Sequence, residues 1–457
     1  MKGVSQLRRG AIGLLILLMT GCATGVLAGC SGGPVSLGQA VRPSSQAPQP
    51  TPAGSPVRSP AVSLTPSPAS GTSADTGSGW DPAAALAGMS LEEKVGQLFV
   101  MVVFGSRADS VHKENRARYG VATPAEAVRK YRPGGVILFP WAGNVSGARQ
   151  VADLTTGLRE ASGTPLLIGV DQENGVVSRL APIITKLPGS MAIGATGDPA
   201  NARDAARVTG EELKDLGIGL DFAPVADVNI NPRNPVIGPR AYGADPKRVA
   251  SMVGAAVDGF HKAGVASVAK HFPGHGDTTV DSHTGLPVIN HSMSTWRKVD
   301  APPFRAAIAH GVDAVMSAHV VMPKLDPSGD PATLSHRILT GLLRDELGFD
   351  GVITTDALDM AGVRKKYGDA EVAVRAVLAG ADLLLMPPNL DTAYGAVLKA
   401  VKSGRISEER LDQSVTRILR LKQKRGMAGP IRTDPGALRS AEHLKVARRV
   451  STAPGDR

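Results

Sequence analysis

The chain of 457 residues has only two cysteines, Cys22 and Cys30, both close to its start. Nothing beyond residue 30 carries a thiol, so the body can hold no internal disulfide, no Cys₂His₂ or Cys₄ zinc site and no cysteine nucleophile. Long apolar runs are scarce as well. The strongest, Ala11–Met19, is too short to cross a hydrocarbon core of about 30 Å as a helix unless the weaker stretch to Ala28 is added. The third shortage is net charge in the middle of the chain. The formal charge is +10, but residues 1–79 hold five Lys/Arg against one acid and residues 420–457 hold ten against three, leaving residues 80–419 near −1. A body this close to neutral does not read as a nucleic-acid binder. With 42% hydrophobic and 20% charged residues the chain is nevertheless rich enough in core-forming side chains to exclude a mainly disordered protein.

The first thirty residues read as an address. Lys2, Arg8 and Arg9 precede the apolar run, the pattern of an export signal. The run closes on Leu27-Ala28-Gly29-Cys30, which resembles the lipobox at which bacterial lipoproteins are cleaved and lipidated on the cysteine; Met19-Thr20-Gly21-Cys22 is a poorer second match. An uncleaved anchor and an ordinary secretory signal are the alternatives, and all three place the protein outside the cytoplasm. The reading adopted is a signal peptide over 1–29, Cys30 as the lipidated residue and a lipid-anchored protein on the outer face of the cell membrane. From residue 30 to 79 the chain is dominated by Pro, Ser, Ala, Thr and Gly, with nine prolines between Pro34 and Pro68. Such a segment has too little apolar surface to repay the entropy of folding and reads as a disordered linker.

After Trp80 short apolar, β-branched runs alternate with amphipathic stretches, the signature of βαβ units. Eight runs are predicted as strands: Gly96–Phe104, Gly135–Phe139, Leu166–Val170, Gly219–Pro224, Ala266–Ala269, Ala314–Ser317, Gly351–Thr355 and Leu383–Met386. Predicted helices include Asn201–Leu216, Pro246–Ala263, Ser335–Leu347, Ala370–Ala379, Ala393–Ser403 and a closing helix Ser407–Lys424 whose start resembles a capping box. Eight alternations over residues 80–425 point to an α/β fold, a (β/α)₈ TIM-like barrel forming a single catalytic domain, with a doubly wound open sheet as the alternative. Residues 426–457 are expected to form a basic, flexible tail.

In such barrels functional groups collect just past the C-terminal ends of the strands. Polar clusters stand there in this sequence: Asp171-Gln-Glu-Asn-Gly175 after the third strand, Lys270-His-Phe-Pro-Gly-His-Gly276 after the fifth, Ala318-His319 after the sixth and Thr355-Asp356 after the seventh. The segment from Lys270 to His283 packs three histidines, two aspartates and a lysine into fourteen residues. Its Pro and Gly content makes it a loop, so His271 and His275 do not share a helix face as in helical zinc motifs. A metal site built from His271, His275, His283 and the aspartates is one reading; Lys270 argues against it. The other is acid–base chemistry, with the Asp281 carboxylate on one nitrogen of His283 and the second nitrogen free to exchange protons near neutral pH. Asp356, at the end of a buried run, is a candidate nucleophile or, alternatively, the N-cap of the next helix.

Together, DQENG at 171–175, KHFPGHGDTTVDSH at 270–283, SAHVVMP at 317–323 and ITTDALDM at 353–360 resemble glycoside hydrolase family 3, in particular its bacterial β-N-acetylglucosaminidases acting on peptidoglycan fragments. The resemblance spans residues 85–425. It implies Asp356 as nucleophile, His283 with Asp281 as acid/base dyad, and Asp171, Arg179, Arg240, Lys270 and His271 as sugar-binding residues; without it Arg179 and Arg240 would read as surface charges. His275 and Asp277 are expected to shape the loop and His319 to line the site. No metal or organic cofactor is implied. The chemistry this resemblance implies is a retaining double displacement on terminal N-acetylglucosamine, with the protein expected to be a monomer whose partners are cell-wall saccharides and, through the lipid, the membrane. Because an imidazole does not repel an anionic acceptor, a phosphorylase using phosphate is an alternative, as is a non-catalytic sugar-binding lipoprotein. The third-strand motif usually reads DQEGG; Asn174 tolerates positive φ better than other residues, so the turn is expected to survive. The chain is also expected to lack the second, sandwich-like domain that many family members carry.

Overall fold

The apolar runs become eight parallel strands buried along their whole length, as parallel strands covered by helices must be. The computed structural model describes residues 79–364 and 366–451. The signal, both cysteines and the linker up to residue 78 lie outside the described residues. The strands are β1 (Phe99–Val102), β2 (Gly135–Ile137), β3 (Leu167–Val170), β4 (Leu220–Asp221), β5 (Ala266–Phe272), β6 (Ala314–Ser317), β7 (Val352–Thr354) and β8 (Leu384–Leu385). Each pairs in parallel with the next from β1 to β7, and β8 lies beside β1. A single parallel bridge between Thr354 and Leu383 joins β7 to β8, so the ring closes as a nearly complete (β/α)₈ barrel.

The strand boundaries differ from those predicted where local chemistry intervenes. Residues Leu91–Gln97, including Gly96 and Gln97 expected in the first strand, are helical because Ser90 and Glu93 form a capping box: Glu93 N donates to Ser90 Oγ at 3.2 Å and Ser90 N to Glu93 Oε2 at 2.7 Å. The closing helix, Glu408–Lys424, has only half of the expected box. Ser407 accepts from Arg410 N at 3.1 Å, but an arginine at the third position cannot bond back to the cap. The fifth strand runs three residues past its predicted end, to Phe272, so Lys270 and His271 stand on the strand itself, next to a register shift against β6. Beneath them Phe272 packs edge-to-face on Trp296 and Phe304, and Trp296 Nε1 donates to Pro273 O at 2.9 Å, anchoring the loop that follows.

The expectation of a flexible tail is corrected. Residues Ala441–Ser451 form a helix that lies on the helix Pro199–Asp215. An apolar stripe of Val446, Ala447 and Val450 is buried there, and His443 is buried with its Nδ1 2.8 Å from Glu212 Oε1 and its Nε2 3.1 Å from Glu211 Oε2. Composition alone weighted the basic residues and missed the i, i+1, i+4 apolar spacing that makes this stretch amphipathic. Removing residues 440–457 exposes that surface and strips Glu212 of its His443 partner, so thermal unfolding of the truncated protein is expected to show a loss of about 2 kcal/mol or more; an unchanged midpoint contradicts the docking.

Candidate active site

One mouth of the barrel, at the C-terminal ends of the strands, holds a cavity of about 260 Å³, the scale of one sugar ring. Asp171, Arg179, Arg240, Lys270, His271, His283 and Asp356 all line it, and Asp281 stands behind His283. The sequence-derived candidates therefore converge, although they come from strands and loops spread over nearly two hundred residues.

The floor is an ion network. Lys270 is 2% exposed, and its Nζ lies 2.8 Å from Asp171 Oδ1 and 2.7 Å from Glu173 Oε1. Arg240 grips Glu173 in a two-pronged bond, Nε to Oε2 at 2.8 Å and Nη2 to Oε1 at 2.7 Å. Burial by itself raises the pKa of Glu173, but the Lys270 and Arg240 charges and their hydrogen bonds outweigh it and bring the carboxyl down to about 2. Burial likewise works against charged Lys270, yet Asp171 and Glu173 hold its ammonium above the ordinary lysine range. Both cations are thus charged and aimed by a shared carboxylate. Glu173 carries the arrangement and was not singled out from sequence, although it sits in the DQENG motif two residues from Asp171.

His271 is set by Asp227, whose Oδ2 lies 2.7 Å from His271 Nδ1 while Oδ1 accepts from the backbone amides of His271 at 3.2 Å and His275 at 2.7 Å. Asp227 lies in the loop after β4, six residues past Asp221, rather than directly at a strand end like Asp171, and the Val225–Lys270 bridge brings it to the mouth. Arg240 Nη2 reaches within 3.3 Å of His271 Nε2, joining the two networks. Arg179 places its guanidinium 5.7 Å over the Phe139 ring.

Asp356 is half-buried on the far side. Its backbone is pinned by Asp356 N to Ser317 O at 3.2 Å, and Oδ1 accepts from Ala357 N at 2.7 Å. The next helix starts only at Ala361, so Asp356 is not its cap. Burial raises its pKa, but His271, His319, the Ala357 amide and Lys270 together pull it below the ordinary aspartate range, keeping the carboxylate ionised. His319, expected to line the site, is instead completely buried behind it, with Nε2 2.9 Å from Ala357 O and Nδ1 2.8 Å from Thr333 Oγ1; it braces the segment carrying Asp356. Asp359 also borders the cavity, its pKa raised by burial and by the charge of Asp356.

At the rim, His283 Nδ1 lies 2.7 Å from Asp281 Oδ1, which also accepts from His283 N at 2.8 Å. The imidazole is 61% exposed. The loop carrying it is tied down by Ser282, whose Oγ lies 3.0 Å from His275 Nε2, and by His291, whose Nε2 lies 3.1 Å from Asp277 Oδ2. His275 and Asp277 thus both act on loop shape, and His275 also faces the cavity. Among the described residues no set of three or more His, Cys, Asp or Glu side chains converges as metal ligands. The DQENG turn keeps its shape as expected. Asn174 has φ 67°, and its side chain accepts from Gln172 Nε2 at 3.0 Å and donates to Thr209 Oγ1 at 3.1 Å. The adjoining Gly175 is also at positive φ, and a Cβ there would come within 2.7 Å of Gly189 Cα.

The chain is similar to known proteins in both sequence and structure. Residues 90–421 match the model of the glycosyl hydrolase family 3 N-terminal domain. β-Hexosaminidase A of Pseudoalteromonas piscicida is 40% identical over 330 residues, covering 66% of this chain and 55% of its own length. A β-N-acetylglucosaminidase/β-glucosidase of Cellulomonas fimi is 34% identical over 381 residues, 80% of this chain and 64% of its own. The chain therefore spans less than two thirds of either relative. The solved structure of a glycoside hydrolase family 3 β-N-acetylglucosaminidase from Paenibacillus sp. superposes with a TM-score of 0.73 at 44% identity, covering 79% of this chain and 68% of that one. With the family model spanning most of the chain and the strand-end residues gathered at one barrel mouth, the chain belongs to glycoside hydrolase family 3.

Proposed function

We propose that the protein is a retaining exo-β-N-acetylglucosaminidase that removes terminal N-acetylglucosamine from peptidoglycan fragments. The observation that carries this is the pairing, across one sugar-sized cavity, of an ionised, rigidly held Asp356 with an exposed His283–Asp281 dyad. Ala357 N–H occupies Asp356 Oδ1, leaving Oδ2 to attack the anomeric carbon. As the glycosidic C–O bond breaks, His283 Nε2–H protonates the departing oxygen. Asp281 holds the Nδ1 proton, so Nε2 is the nitrogen that exchanges. In the second step His283 Nε2 takes a proton from water, the water oxygen attacks the anomeric carbon, and the Asp356 carboxylate departs with the β-configuration kept. Asp171, Arg179, Arg240, Lys270 and His271 hold the sugar hydroxyls; Lys270 and Arg240 are oriented beforehand by Glu173 and His271 by Asp227, so these three need little reorganisation on binding. Export and anchoring at Cys30 complete the proposal and rest on the Leu27–Cys30 motif.

The test is hydrolysis of a chromogenic β-N-acetylglucosaminide against the matching β-glucoside, with and without phosphate. Preferred cleavage of the first without phosphate dependence supports the proposal, and inactivity on both contradicts it. The imidazole acid/base also suits phosphate as acceptor; accumulation of sugar phosphate would favour that reading. His283→Ala is expected to lower kcat by about 10²–10⁴-fold on a poor leaving group and much less on dinitrophenol, which departs without a proton. Equal losses on both leaving groups would remove His283 as the acid.

A further inference from the structure

The opposite mouth of the barrel carries a second cavity, of about 550 Å³. It lies at the N-terminal ends of the strands: Gly219 and Val265, immediately before β4 and β5, are part of its wall. Its ionisable lining contains no acid and is made of Arg159, Lys214, His261, Lys424, Arg425 and Arg432. Three of these share the one buried carboxylate of Asp313: His261 Nε2 at 3.1 Å, Lys424 Nζ at 3.0 Å and Arg425 Nη2 at 2.8 Å. Arg159, Lys214 and Arg432 make no ion pair among the described residues. Four helices end here, Ala148–Ala161, Pro199–Asp215, Pro246–Ala263 and Glu408–Lys424, and cations in a last turn complement the negative helix end. That accounts for single cations but not for Arg159. Its guanidinium is largely buried, one Nη donates to Gly217 O, and its Nε is buried with no acceptor among the described residues. Burial without an anion draws its pKa down to about 10. A buried donor left unsatisfied on Arg159, with Lys214 and Arg432 also lacking an ion pair among the described residues, calls for an acceptor-rich anion.

We propose that this cavity is a binding site for phosphate esters, separate from the catalytic mouth. A phosphate group offers several acceptor oxygens and up to two charges, which suit guanidinium and ammonium donors arriving from different directions. The volume accommodates a sugar or glycerol attached to the phosphate rather than a bare ion. The source is either a soluble ester or a lipid headgroup. The chain enters the folded body beside this cavity, where Gln423 Nε2 donates to Trp80 O at 3.2 Å, one residue from Lys424.

The test uses the wild-type protein with its catalytic mouth saturated by N-acetylglucosamine, titrated by calorimetry with glycerol 3-phosphate and N-acetylglucosamine 1-phosphate at constant ionic strength. The same protein is sedimented with vesicles of phosphatidylglycerol and, as control, of phosphatidylcholine. The site predicts binding of at least one phosphate source, weakened about tenfold or more in the Lys214→Glu, Arg432→Glu double variant, with glycosidase kcat/KM unchanged. Binding of the soluble esters assigns a free ligand, and binding of phosphatidylglycerol vesicles alone assigns a headgroup. No binding to any of them, or equal binding by the double variant, overturns the proposal.

Discussion

Replacing Asp356 with alanine is expected to lower kcat/KM on a β-N-acetylglucosaminide on the order of 10⁴-fold or more, because no second group can take over a covalent step. The surroundings make the effect specific to chemistry. Asp356 ties to the fold through its backbone, to Ser317 O, and among the described residues its side chain bonds only the neighbouring Ala357 amide. The segment is held independently: Thr355 Oγ1 accepts from Leu385 N at 3.0 Å and His319 braces Ala357 O at 2.9 Å. The variant should therefore fold and still bind N-acetylglucosamine. Its thermal midpoint and product affinity near those of wild type, with turnover lost, is the expected pair of results; retained turnover would remove Asp356 as nucleophile.

The second large effect lies in a residue that touches no reacting bond. Glu173→Ala leaves Lys270 and Arg240 as buried cations facing each other without their shared carboxylate. Removing one partner of a buried ion pair costs about 3–5 kcal/mol, which for a folded body of this size lowers the thermal midpoint by roughly 4–6 °C. Sugar binding should weaken in parallel, since the same two cations lose their fixed orientation, and KM should rise more than kcat falls. The pH dependence follows from the lowered pKa. Glu173 contributes its stability fully above the ordinary glutamate range and loses it as pH falls towards about 2. Wild-type acid unfolding should thus contain a component absent from Glu173→Gln. Identical acid profiles for the two proteins would show that the network adds nothing to stability.

Much of the site was legible because the barrel obeys a positional rule. Asp171, Lys270 and Asp356 were found as polar residues immediately after apolar runs, a placement that costs energy unless it serves a mouth. Glu173 stands in the same strand-end motif as Asp171 but Asp227 lies deeper in the loop after β4, and the partners of both are distant in sequence: Asp227 meets His271 across 44 positions and Glu173 meets Arg240 across 67. A side chain whose role is to neutralise another is visible only once both are placed. His319 failed for the opposite reason. It follows a strand as the rule requires, yet its two ring nitrogens are taken by Thr333 and Ala357 inside the protein. At the fold level the barrel and its helices were readable from periodicity, whereas the Ser90 capping box and the docking of residues 441–451 depended on local hydrogen bonding and on a distant apolar face. Charge counting was also incomplete. The near-neutral body conceals a cationic cavity at one mouth, because a sum over residues says nothing about where they gather.

The central claim is a covalent intermediate on Asp356. It is tested most directly by mass spectrometry of the intact protein after reaction with a slow, activated N-acetylglucosaminyl donor bearing fluorine at ring carbon C5, followed by peptide mapping. The account predicts one N-acetylglucosaminyl unit attached to the peptide that contains Asp356, and β-N-acetylglucosamine as the first product released from an ordinary substrate. Attachment to another carboxylate such as Asp171 or Asp359, or release of the α-anomer first, would contradict it.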